Sequence, residues 1–514
     1  MKRHTYILAS ATSALAVALG AGACTASDDA VAGRPAAADP TSARDGGTLR
    51  IGLDRPFGRL DPVDATLTSQ PLFPLANAVF DPLMVNDTNG GVRPYLAKGF
   101  TPNADATSWT LDLREGVKFS NGAPLDAAAV VAHVNRLAKP DNKCACAADA
   151  ARIAGLTPVG ATSVRFDLKA ADATFPNLFT RALGYISAPS ADPAAPIGSG
   201  PYTVENNQPG VAVTVVRNPS YWGAKGHADK IVYRVLPDAD SRYQSVRSGD
   251  IDLIWSETPT QYRQAGADGL RAAAAPAATS FAVFNTTAAP FDDVRVRQAM
   301  QYAIDRDTLA KVVNLGQGGV SAGPIVSTSP YRAGDAYPGF DPVKARALLA
   351  EVGAPVKFDY LVVNTPAAQQ RATVIQQMLG DVGIKMSIKP VDNAGLGTAL
   401  FQHQFQVADF TTSVLGDTDT GLSSVFATGG MVNFASYANP KVTALLASGR
   451  ASLDPARRGA DYNEATKTIV QEAPALFFTE NRVGYLASAK VGGLPELSRA
   501  STVNLSPASL WLTP

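Results

Sequence analysis

A strand, a helix and a second strand follow one another within residues 358–388. Phe358–Val363 reads as a strand, Pro366–Asp381 as a helix and Ile384–Ile388 as a strand. A helix between two neighbouring strands returns the chain to the same end of the sheet, so the strands run parallel. Parallel strands need helices covering their faces, which excludes an all-β sandwich and a plain helical bundle and leaves an α/β architecture. The surrounding sequence agrees. Asp341-Pro342, Thr365-Pro366, Asn439-Pro440 and Asp454-Pro455 each place a capping oxygen before a proline. The oxygen satisfies a free N–H, and proline brings a preset φ without an N–H to orphan. Val296, Ala299, Met300, Ala303 and Ile304 fall on one stripe of a further helix.

Before residue 280 the pattern changes to short strands. Trp109–Leu113 and Val164–Leu168 alternate apolar and polar residues, and Val211–Val216 and Ile231–Leu236 are β-branched runs beside Asn-Pro and Pro-Asp turns. Asp126–Leu137 is the clearest helix there, with Val130, Val131 and Val134 together. The 514 residues correspond to about three domains, or two large lobes. Hydrophobic residues at 46% exclude wholesale disorder. With 45 basic and 45 acidic residues the chain carries no electrostatic footprint for nucleic acid.

The N-terminus speaks about location. Lys2 and Arg3 precede the apolar run Tyr6–Gly20, and small residues 21–23 lead to Cys24. A basic start, a short apolar core and small residues form a secretory signal peptide over 1–23. The run is too short and too rich in Ala, Ser and Thr for a membrane span of about 20 apolar residues. Lys2-Arg3 is not a twin arginine, which favours the general secretory route. Small residues directly before Cys24 resemble a bacterial lipobox, with Ala21 where Leu is usual; the resemblance implies lipidation of Cys24 and anchoring to the outer face of the cell membrane. Residues 24–46 then read as a linker reaching on the order of 25 Å. Without the leader, 43 basic residues face 45 acidic ones, a net −2.

Catalytic signatures are missing: there is no phosphate-binding Gly-x-x-x-x-Gly-Lys, no His-Glu-x-x-His and no Gly-x-Ser-x-Gly. Gly316-Gln-Gly318-Gly319 lacks the third glycine of a dinucleotide fingerprint. Asp417-Thr-Asp419 begins like a calcium loop, but Leu422 and Thr428 occupy its sixth and twelfth positions. His133, His227 and His403 are scattered, so no metal site and no cofactor are expected. Cys144 and Cys146 either close a small disulfide or link to another thiol. No catalytic residue is assigned, and the chain is not expected to be an enzyme; a secreted hydrolase on a binding fold is the least favoured alternative.

The stretch Trp109-Thr-Leu-Asp-Leu-Arg114-Glu-Gly116-Val-Lys118-Phe119-Ser-Asn-Gly122-Ala-Pro124-Leu-Asp126 resembles the signature of family 5 extracellular solute-binding proteins, which serve ABC importers. Leu60-Asp-Pro62, Pro196–Tyr202, Arg217–Trp222, Ser241–Asp252, Asn285–Arg306, Lys344–Gly353, Gly383–Lys385 and Asn433–Tyr437 continue the resemblance in order. It implies a two-lobed periplasmic-binding-protein-like clamp (type II, cluster C) with an extra subdomain on lobe I. Lobe I would comprise 47–76, 185–280 and 482–514, the subdomain 77–184, and lobe II 281–481. Strands near Thr279–Asn285 and Phe477–Tyr485 would form the hinge.

The resemblance also implies partners: a peptide or peptide-like solute between the lobes, the permease subunits of an ABC importer, and a monomeric receptor. In dipeptide binders of the family an Asp in a Trp-x-Gly-Asp stretch pairs with the α-amino group. Here Ser413-Val-Leu-Gly416-Asp417-Thr-Asp419 keeps the acid at Asp417, with Asp419 as a second candidate, and lacks the Trp. The carboxylate-binding Arg of those proteins has no counterpart in Leu361–Thr365. Thr66 matches a family Thr near the ligand. Trp255, after the strand Asp250–Ile254, is a candidate either for lining the cleft or for packing. Longer peptides, modified metabolites and metal–chelator complexes stay open as solutes, as does a non-transporting sensor lipoprotein.

Overall fold

A computed structural model describes residues 43–64, 66–87, 91–144, 146–188, 196–332, 337–413, 418–497, 500 and 502–513. The leader, Cys24, most of the linker and Asp417 lie outside the described residues. Among the described residues, no helix is long and apolar enough to cross a membrane.

The fold is mixed α/β, and one 11-stranded sheet runs through it. From one edge its order is Lys385–Val391, Lys357–Val363, Val407–Ser413, Arg271–Phe284, Ala475–Ala487, Leu253–Ser256, Thr48–Leu53, Lys230–Val235, Ala212–Arg217 and Tyr202–Gln208. Gly318–Val320 adds to Ala475–Ala487. Lys357–Val363 and Lys385–Val391 are parallel, with Phe358 opposite Met386, and the helix Pro366–Gly380 connects them. The four capped prolines behave as their chemistry requires. Asp341, Thr365, Asn439 and Asp454 accept from the N–H of Lys344, Ala368, Val442 and Ala456, contributing about 1 kcal/mol each.

Three large hydrophobic cores organise the chain. One gathers Leu49–Leu53, Leu72–Phe80, Tyr202–Trp255 and the C-terminal Val491–Leu510. A second spans Phe281 to Phe478 and contains the parallel pair and its helices. The third lies around a separate antiparallel sheet ordered Ala97–Pro102, Ser108–Leu113, Ser163–Leu168, Ile153–Val159. In that sheet Trp109, Leu111 and Leu113 face inward with Val164 and Phe166. Phe100, Phe166, Phe175 and Phe179 meet there edge-on or tilted at 5.1–5.7 Å, a favoured quadrupole arrangement.

Among the described residues, only two strands contribute to both of the first two cores, and both are unusually long. Arg271–Phe284 gives Ala273–Ala278 to one core and Phe281–Phe284 to the other. Its antiparallel partner Ala475–Ala487 gives Ala475–Phe478 to the second core and Val483–Ala487 to the first. Register shifts fall between Pro276 and Ala278 and between Ser280 and Phe281, at the passage from core to core. Such irregularities bend a strand locally. Asn481 fastens the passage: its Nδ2 donates to Ser280 Oγ at 2.6 Å and its Oδ1 accepts from Thr479 Oγ1 at 3.1 Å.

Candidate functional site

A cavity of about 630 Å³ opens beside these crossing strands. Segments far apart in the chain contribute to its wall. Ala278, Asn481 and Val483 come from the crossing strands, and Thr411 from the strand beside them. Thr68–Pro71, Arg55, Trp255 and Glu257 come from the segments around the first core. Cys144, Cys146, Asp149, Leu178, Arg181, Ala182 and Leu183 come from the third.

Trp255 both packs and lines the cavity. It lies within the strand Leu253–Ser256, one residue further along the chain than the sequence pattern suggests. Its main chain pairs with Tyr485, and the two rings meet edge to face at 5.2 Å. The indole Nε1 donates to Glu257 Oε1 at 2.9 Å, orienting that carboxylate on the wall. Gln70 is fixed by accepting from Val503 N–H at 2.8 Å, and its carbonyl accepts from Tyr485 hydroxyl at 2.7 Å. Arg55 donates through Nε to Asp54 at 2.9 Å, and this bond raises its pKa above the ordinary arginine range.

The opposite wall comes from a tight turn. The 3-10 segment Phe175–Thr180 ends at extended Arg181, whose carbonyl accepts from Gly184 N–H at 2.7 Å. Only glycine closes this turn, because a Cβ on residue 184 would sit 1.7 Å from the Phe179 carbonyl oxygen. His133 secures it from behind. Its Nε2 donates to Ala182 O at 3.1 Å and its Nδ1 accepts from Ser187 N–H at 3.4 Å. Burial, aided by Arg136, pushes the imidazole pKa down to about 4, so the ring is neutral. The guanidinium of Arg181 is half-buried and its pKa is lowered by burial.

Cys144 and Cys146 form a disulfide, and both lie on this wall just before the short helix Ala147–Ala150 that carries Asp149. Thr66 stands two residues before the lining segment, in a turn where its N–H donates to Asp64 at 2.9 Å and its carbonyl accepts from Ser69. Asp419 is fully buried and is not among the residues lining the cavity. Its carboxylate accepts from Arg450 Nε at 2.7 Å and from Ser423 Oγ at 2.9 Å. Arg55, Glu257 and Arg181 were not among the sequence-based candidates. A signal for Arg181 existed: it is the one charge within the apolar stretch Phe175–Ile186.

Among the described residues, no group of three or more His, Cys, Asp or Glu side chains is arranged to hold a metal ion. The wall instead combines aromatic and aliphatic surface with a few oriented polar groups, the usual composition of a small-solute pocket.

The family described as bacterial extracellular solute-binding proteins, family 5 middle, matches residues 91–433. The glutathione-binding protein GsiB of Salmonella paratyphi A is 31% identical over 445 residues, covering 81% of this chain and 86% of that protein. In solved structures, NikA from Brucella suis in complex with Fe(III)-EDTA superposes with a TM-score of 0.80 at 25% identity, over 91% of this chain and 100% of that one. The ABC transporter substrate-binding protein CtaP of Listeria monocytogenes gives 0.81 at 22% identity, over 92% and 100%, a likeness that bears on the fold alone.

Proposed function

This chain belongs to family 5 of the bacterial extracellular solute-binding proteins, and we propose that it captures peptides or peptide-like solutes for an ABC importer. The observation that carries the proposal is the cavity of about 630 Å³ walled by the crossing strands, by Thr411 and by segments around the first and third cores. That volume falls within the range of small-molecule sites, roughly 300–1,000 Å³. A solute there touches Trp255 and Glu257 on one side and Thr411 on the other. It therefore favours whichever arrangement of the lobes brings these groups together, and it shifts the population toward that arrangement. The permease then recognises the closed clamp. The similarity to a protein named for glutathione, itself a peptide-like molecule, supports this solute class.

In this reading 47–76, 185–280 and 482–514 form lobe I, 77–184 its subdomain and 281–481 lobe II, with the two long strands as hinge. Cys24 is lipidated, residues 25–46 tether the monomeric body to the outer face of the membrane, and the solute leaves chemically unchanged. Asp417 is the sequence-based candidate for a solute amino group. A thermal-shift screen of di- to pentapeptides tests the reading: at least one should raise the melting temperature, and stabilisation by none would remove the peptide claim. Loss of uptake of that peptide on deleting the protein separates an importer from a sensor.

A further inference from the structure

Burial lowers the pKa of Arg181, Arg242 and Arg297. Two of them are structural. Arg242 donates to the carbonyls of Trp255, Leu236 and Pro237. Arg297 donates to those of Glu472 and Phe291. Arg181 differs, because its guanidinium makes no hydrogen bond or ion pair within the described residues. Asp149 attracts it through space and Arg152 repels it, but Arg152 is already bound to Asp172 at 3.1 Å. Its neighbours on the wall, Leu178, Ala182 and Leu183, offer it nothing polar from their side chains.

A cation withdrawn from water without a partner is costly, and a native fold retains one where something else supplies the counter-charge. Arg181 faces the cavity, so the missing partner comes from the solute. We infer that Arg181 is a carboxylate anchor, and that this receptor selects peptide-like solutes presenting a carboxylate to the subdomain wall.

The other charges narrow the class. Arg55 already has Asp54, whereas Asp149 and Glu257 are acids on the same cavity. Two cations and two anions among the lining residues suit a zwitterion or a monoanion and disfavour a polyanion such as a phosphate ester. A planar guanidinium meets a carboxylate through two parallel N–H···O bonds, giving direction as well as attraction. The inference rests on the peptide-receptor reading for the solute's scaffold, but not for its charge.

The test uses the mature chain, Arg181→Gln and Arg181→Lys, with binding followed by thermal shift and calorimetry. The probes are peptide pairs differing by one carboxylate, either C-terminal acid against amide or Glu against Gln, together with succinate and citrate. Without solute, Arg181→Gln should melt no lower than the parent, since it removes a cation that has no partner in the protein. With solute, the parent should prefer the acid of a pair by about tenfold or more, the span of a charge-assisted bond. Arg181→Gln should abolish that preference and Arg181→Lys partly restore it. Acid and amide bound equally, with Arg181→Gln unchanged, would overturn the anchor and leave the peptide receptor standing. Binding of succinate or citrate that depends on Arg181, with no peptide bound, would uphold the anchor and remove the peptide scaffold. Absence of any Arg181-dependent response across the panel would overturn the anchor.

Discussion

Replacing His133 by Gln should flatten the acid side of the protein's stability profile. The ring is buried, and its neutral form satisfies both nitrogens: Nε2–H donates to Ala182 O and Nδ1 accepts from Ser187. Protonation would set a second N–H against a donor and bring a charge close to Arg136. The pKa is accordingly about 4 in the folded chain against 6.5 unfolded. Because the folded value is the lower one, the unfolded chain binds the proton first, and stability is lost as pH falls from 6.5 toward 4. That gap corresponds to about 3 kcal/mol. Asp81 works in the opposite direction, its pKa being raised to about 7 by burial despite bonds from Trp222, Tyr221 and Ser199. Its contribution increases as pH falls from 7 toward 3.8 and partly masks the histidine. The assay is therefore a difference: urea unfolding of the parent and of His133→Gln at matched pH values from 7.5 to 4. The parent's advantage over the variant should shrink by about 3 kcal/mol across the window, while Asp81 cancels. An advantage that stays constant with pH would refute the reasoning, since it would mean that His133 does not titrate differently in the two states.

Three other substitutions probe the crossing strands, the buried pair and the cavity. Gly484 has φ of +155° on the long strand, and a Cβ there would lie 2.3 Å from the Ala273 carbonyl oxygen, so Gly484→Ala should cost about 1–3 kcal/mol, read as a lower melting temperature. Asp419→Ala should destabilise by about 3 kcal/mol by stranding Arg450, without changing solute affinity measured below the transition; a selective loss of affinity would instead place Asp419 in recognition. Trp255→Phe keeps a ring against Tyr485 but releases Glu257, so calorimetry should show weaker solute binding with at most about 1 kcal/mol of stability lost.

Local chemistry was the legible part of the fold. An Asp, Thr or Asn before proline marks a helix start whatever surrounds it, and all four such starts lie at helix N-termini in the structure. The parallel pair and the Trp109 face were readable for the same reason, because period and length speak within a few residues. The crossing strands were only half readable. Ala272–Ala278 has poor strand propensity, and it becomes a strand because its pairing with Asn481–Leu486 and its burial override that preference. Small side chains there also let Gly484 approach the backbone of Ala273 and Ala274.

The site was less legible still. Trp255 could be named, but not its bond to Glu257. Asp419 looks like an exposed acid until Arg450, 31 residues later in the chain, is brought beside it. Arg181 stands out only as a charge in an apolar stretch. Its lack of a partner depends on everything packed around it, which no short window of sequence contains.

Native mass spectrometry of the mature protein, purified without denaturation, tests the central claim most directly. The account predicts a non-covalent adduct whose released mass and fragments are those of a peptide-like carboxylate, and predicts that Arg181→Gln carries much less of it. A released solute without a carboxylate, or an adduct retained equally by Arg181→Gln, would contradict the account.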